Sequence, residues 1–183
     1  MTYLLFTIVS IAFWTRLSKR IGKKRTLARG LLLSSVAFAL TTYYHEGTWL
    51  AWLILAAATG TGYGSLLAIT PSMMADVIDL DELNTGNRKE GAYFGVWHFI
   101  DKAAMGVTTF IGLQALDMLG YVPNQEQSLA VIWGLKTLYC ILPSICIGTG
   151  FLVLRYYSID LQEHRRIRAE IEARNNQRDV FQN

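Results

Sequence analysis

Long stretches almost free of charge alternate along this chain with short polar segments. The apolar stretches run from Met1 to Thr15, Thr26 to Tyr44, Thr48 to Ala75, Gly91 to Leu116 and Ser128 to Tyr157. Between them lie Arg16 to Arg25, His45 to Gly47, Asp76 to Glu90 and Asp117 to Gln127, and a polar tail begins at Ser158. A bilayer imposes such a distribution, because its hydrocarbon core takes about 20 consecutive apolar residues per helix. Backbone groups left unpaired in lipid are costly, so segments of this length must be helices or parts of a closed barrel. The runs are near-continuous and lack a two-residue alternation. They therefore predict an all-α membrane protein of about five transmembrane helices, with a bundle over 1–157 and a polar tail over 158–183.

Composition agrees with this reading. Only 17% of the residues are charged and 52% are apolar, whereas a soluble domain carries about a quarter charged residues. Cys140 and Cys146 both lie in the last apolar stretch, where a lone thiol behaves as a small hydrophobe. They form neither a disulfide framework nor a zinc spacing. The net charge of +3 comes from basic residues that flank apolar spans. That placement argues against a nucleic-acid partner.

Charge also orients the chain. Every Lys and Arg other than Lys102 and Lys136 falls in Arg16 to Arg29, in the pair Arg88 and Lys89, or from Arg155 onward, and the two intervening loops hold none. The positive-inside rule sends these basic segments and the C-terminus to the cytoplasm, which leaves Met1 outside. The expected location is the bacterial inner membrane, as a multi-pass protein. The apolar start lacks the positive n-region and cleavage site of a secretory signal. The odd helix count and the first span of about 15 residues lead us to expect further residues upstream in a complete protein. Trp49 and Trp52 at one boundary, with Tyr156 and Tyr157 at the other, fit the aromatic belts of membrane interfaces.

Candidate chemistry concentrates in the fourth stretch, where His98, Asp101 and Lys102 sit near mid-membrane. Each charge there costs at least about 2.5 to 3.5 kcal/mol on insertion scales, so such groups face a bundle interior or a wet cavity. Asp101 and Lys102 are adjacent and point about 100° apart, which leads us to expect at least one to pair with another helix or a ligand. The structural alternative is a salt bridge that only holds the bundle together. An acid-base pair of His98 with Asp101 keeps a membrane enzyme as a minor alternative, although no nucleophile with a base, phosphate loop or haem or zinc motif is present.

Other signals are weaker. Gly60-Thr-Gly-Tyr-Gly64 has the small-residue spacing that lets helices approach closely, and Pro71 frees a carbonyl; we read both as structural. The segment from Asp76 to Glu90 is acidic, then basic. Asp76, Asp79, Asp81 and Glu82 with Arg88 and Lys89 are read as a cytoplasmic gate of breakable ion pairs. A metal site from Asp79, Asp81 and Glu82 is disfavoured, because the spacing does not match an EF-hand and no His or Cys joins it. Lys136 is expected to snorkel to the outer interface. Glu163, Arg166, Glu170 and Arg174 have helical spacing and predict a solvated or interfacial tail helix.

The run Pro71-Ser-Met-Met-Ala-Asp-Val-Ile-Asp-Leu-Asp-Glu-Leu-Asn-Thr-Gly-Asn-Arg-Lys-Glu-Gly-Ala-Tyr-Phe-Gly95, followed by Trp97 and Asp101-Lys102, resembles the glycoside-pentoside-hexuronide:cation symporters. These belong to the major facilitator superfamily and include the melibiose carriers. Arg16-Leu-Ser-Lys-Arg-Ile-Gly-Lys-Lys-Arg-Thr26 is similar to the basic loop between helices eight and nine of that family. The resemblance covers most of residues 1 to 157. It implies that the five spans correspond to helices eight to twelve of a twelve-helix transporter, whose N-terminal half is then a missing partner. It further implies sugar or glycoside uptake coupled to a monovalent cation, Na+ or H+, with no other cofactor and no enzymatic step. Lys102 falls where the melibiose carriers have a lysine that matters for transport. Asp101 has no counterpart in that pattern, and the family's cation-binding carboxylates lie mainly on N-terminal helices. The alternative is a membrane remnant or interaction subunit that does not transport.

Overall fold

The computed structural model describes residues 1–44, 48–157, 163, 166, 167, 169–171 and 173, and among them every regular element is helical. The loop His45 to Gly47 and much of the tail, Arg174 included, lie outside the described residues.

Helix α1 covers Thr2–Ile21 and α2 covers Lys23–Thr41, so the expected loop Arg16 to Arg25 is mostly helical. The chain reverses at Gly22 alone, whose φ of 90° is a conformation other residues rarely adopt. Long basic side chains are good helix formers, and Lys19 and Arg20 in the last turn of α1 complement its dipole. A basic run is thus no reason for a helix to end.

Helix α3, Trp49–Thr85, is the hub. Its 37 residues make a rod of about 55 Å, far longer than a hydrocarbon core of about 30 Å. The segment read as a loop from Asp76 is therefore the C-terminal extension of α3, and only Gly86 to Lys89 are non-helical before the next helix. Gly86 ends α3 in the left-handed conformation, its N–H donating to the Glu82 carbonyl. Pro71 sits inside the helix without ending it.

Small residues bring α1 and α2 onto α3. A Cβ added to Gly64 would collide with the Ser10 hydroxyl and lie 2.7 Å from the Thr7 carbonyl; one on Gly62 would collide with Ser34 and lie 2.8 Å from the Gly30 carbonyl. The Thr7 hydroxyl donates to the Gly60 carbonyl at 3.1 Å, and the Trp14 indole donates to that of Thr61 at 2.7 Å. Lipid supplies no hydrophobic drive between helices, so close packing and interhelical hydrogen bonds hold them. The structural reading of Gly60-Thr-Gly-Tyr-Gly64 is what the packing displays.

Helix α4, Glu90–Met118, has no buried residue. The last span is one rod from Leu129 to Tyr156 that changes pitch: α5, Leu129–Lys136; a π segment, Thr137–Ile141; α6, Leu142–Val153; and a 3₁₀ turn, Leu154–Tyr156. Pro143 sits two residues beyond the π segment, and its missing N–H accounts for the local rewinding. Ser35 and Ser144 clasp α2 to α6, each hydroxyl donating to the other's carbonyl at 2.9 and 2.8 Å.

By length and hydropathy Trp49–Thr85 and Leu129–Tyr156 are membrane spans among the described residues. Helices α1, α2 and α4, of 20, 19 and 29 residues, have the length, but basic ends or the His98, Asp101 and Lys102 group lower their hydropathy. The tail differs from a wholly solvated or interfacial helix. Ile167 and Ile171 are buried against Val77, Leu80, Leu83 and Tyr157 on and beside the extension of α3, while Arg166 pairs with Glu163 and Glu170 on the outside. The four-residue spacing of the two isoleucines makes the apolar stripe that the charge pattern concealed.

Candidate functional site

Two polar clusters stand out, one midway along α4 and one at the C-terminal end of α3. On α4, Lys102 lies about 18 Å from the helix start at Glu90. The Lys102 Nζ folds back to within 3.7 Å of the Asp101 carboxylate, so the neighbours do meet, through the reach of the lysine. Among the described residues neither is bonded to another helix. Their side chains are 72% and 60% exposed. The Phe94 and His98 rings lie stacked at 6.3 Å. All three ionisable groups stand exposed on a helix that has no fully buried residue.

The charged residues at the end of α3 fall into two sets. Asp76, 3% exposed, receives the Lys23 ammonium at 2.6 Å and the Tyr157 hydroxyl at 3.4 Å. Lys23 also donates to the Ser72 carbonyl at 3.0 Å, and Lys24 donates to the carbonyls of Arg155 at 2.8 Å and Tyr157 at 2.5 Å. Burial first, then the Asp76 carboxylate, pushes the Tyr157 phenol well above its ordinary range. This knot ties α2, α3 and the end of the last span to each other within one bundle.

The second set closes over the turn between α3 and α4. Arg88 reaches Glu82 at 2.8 Å and Asp79 at 3.1 Å through Nη1, and Glu90 at 3.1 Å through Nε. These bonds, that from Glu82 foremost, hold the guanidinium well above its usual range, so it stays charged. Lys89 pairs with Asp81 at 3.5 Å. The carboxylates once weighed as metal ligands are thus engaged by cations of the same turn. Sequence reasoning missed Lys23, Lys24 and Tyr157 as partners. The signal was there: a carboxylate ending an apolar run needs a cation, and the basic run was used only for orientation. At the opposite end of the bundle, Lys136 donates to the Tyr44 carbonyl at 3.3 Å and stands 5.4 Å from the Trp133 ring centroid.

Long apolar helices held together by glycine and serine contacts define an integral membrane protein. Residues 1–161 match the family model of MFS/sugar transport proteins, and the chain belongs to that family. It is 30% identical over 173 residues to the uncharacterized symporter YjmB of Bacillus subtilis, covering 91% of this chain and 38% of that protein. It is 26% identical to the glucuronide carrier protein homolog of Escherichia coli, covering 92% and 37%. It is 27% identical to the isoprimeverose transporter of Lactiplantibacillus pentosus, covering 94% and 36%. The chain thus spans less than two fifths of the length of these relatives.

Proposed function

We propose that this chain is the C-terminal part of a secondary transporter that carries a sugar or glycoside together with Na+ or H+ by alternating access. It works with an N-terminal half that completes the cavity, in a bacterial inner membrane, with the C-terminus in the cytoplasm. The observation that carries the reading is the exposed Asp101–Lys102 pair midway along α4, on a helix with no buried residue. Lipid does not tolerate ionised groups at that depth, so the face needs a hydrated chamber shared with a second bundle. Family membership and relatives named as sugar carriers support the same reading.

Lys102, with Asp101 and His98, lines the pathway. Asp79, Asp81 and Glu82 with Arg88 and Lys89 form the gate, whose pairs exchange partners as the halves rock. Asp76 contributes as the fixed anchor beside that gate, because Lys23 already holds it. Replacing Lys102 by Ala or Cys in the complete transporter abolishes gradient-driven sugar accumulation while leaving membrane insertion intact; normal accumulation by the inserted variant rejects the role.

A further inference from the structure

At the end of the bundle opposite the Lys23–Asp76 knot, a cation stands without a counterion. The last span, Leu129–Tyr156, has 28 residues and a length of about 42 Å, which matches a whole bilayer with its headgroups. Lys136 lies about 11 Å from the start of that span, and so about 5 Å inside the hydrocarbon boundary. Its ammonium spends one donor on the Tyr44 carbonyl, which leaves two of three. Among the described residues no carboxylate pairs with it. A charge at this depth calls for an anion.

Beside Lys136 the end of α2 and the start of α3 part from the last span. They leave a shallow groove of about 230 Å³ lined by Thr41, Tyr44, Trp52, Lys136, Tyr139 and Cys140. Pockets that enclose a drug-sized ligand measure about 300–1,000 Å³, so an occupant of this groove lies partly outside it. The π segment begins next to Lys136 and brings Tyr139 and Cys140 to the same groove. Snorkelling does not account for the lysine, because its ammonium is tied sideways to the end of α2. An aromatic belt accounts for Trp52 and Tyr139, but not for an unpaired cation among them. A largely apolar groove with one cation is the complement of an amphiphile that carries a phosphate. The described residues lining it offer no carboxylate to a choline or ethanolamine ammonium. The charge complement is therefore a lipid of net negative charge.

We infer that this groove binds one anionic phospholipid of the phosphatidylglycerol type. Its phosphate sits on Lys136, and the upper part of an acyl chain lies along Thr41, Trp52 and Tyr139. The site goes beyond the symport reading and does not rest on it.

The test is native mass spectrometry of the complete transporter, released from nanodiscs of phosphatidylcholine with a minor share of phosphatidylglycerol. Lys136→Gln keeps a donor for the Tyr44 carbonyl and removes the charge. It should carry one phosphatidylglycerol fewer, with affinity at that site about ten-fold lower, the measure of one charge-assisted hydrogen bond. Thr41→Trp fills the groove, leaves the charge and should lose the same lipid. Equal phosphatidylglycerol counts for the unaltered protein and Lys136→Gln overturn the site, whatever Thr41→Trp does to folding. Retention of the lipid by a folded Thr41→Trp variant overturns the groove as its seat. Phosphatidylcholine held as firmly, and with the same dependence on Lys136, overturns the anionic assignment. Inorganic phosphate held by the lipid-free protein through Lys136 reassigns the cation to a free ion and overturns the lipid site equally.

Discussion

Replacing Asp76 by Ala leaves the Lys23 ammonium without its counterion in a pocket where the carboxylate is 3% exposed. Breaking a buried pair from one side costs about 3–5 kcal/mol. Lys23 is 22% exposed and keeps the Ser72 carbonyl at 3.0 Å, so part of its charge stays solvated and about 2–3 kcal/mol is the better figure. The Tyr157 hydroxyl loses its acceptor as well, which loosens the end of the last span. For a chain of this size the loss corresponds to a fall of about 5–10 °C in Tm. Labelling of the buried Cys140 thiol by a fluorogenic maleimide on heating reports it, in nanodiscs and on a Cys146→Ser background. The pair Lys23→Met with Asp76→Leu, which removes both charges, should recover most of the loss. A shift below about 2 °C for Asp76→Ala, or strictly additive effects in the double variant, would refute the claim that this pair ties α2 to α3.

The glycines make a sharp contrast. Gly64→Ala drives a methyl into Ser10 and the Thr7 carbonyl and should cost about 1–3 kcal/mol, whereas Gly95→Ala meets nothing within 4 Å and should leave Tm unchanged or slightly raised; the same thiol assay separates them. Ile167→Asp puts a charge against Val77, Leu80 and Leu83 and should release the tail helix, seen as faster trypsin cleavage beyond Tyr157 with the membrane bundle intact. Cleavage at the rate of the unaltered chain would contradict the docking.

The membrane class and the helical content were legible in the sequence because they depend on local quantities. A run of apolar residues without alternation has one solution in lipid, and the basic segments orient it. His98, Asp101 and Lys102 were singled out as candidates by the cost of placing their charge in lipid. Helix ends were less legible: Arg16 to Arg20 and Asp76 to Thr85 are polar yet helical, because polarity marks where lipid stops and not where a helix stops. Lys23 and Tyr157 were missed as partners of Asp76 because they lie 53 and 81 residues from it in the chain.

Hydropathy and charge placement, which are properties of single positions, settle from the sequence alone that this chain is a helical membrane protein. Which carboxylates are locked inside the bundle and which close the turn depend on how α1 and α2 nest on Gly60, Gly62 and Gly64. Those contacts join residues remote in the chain, so only the tertiary structure decides them.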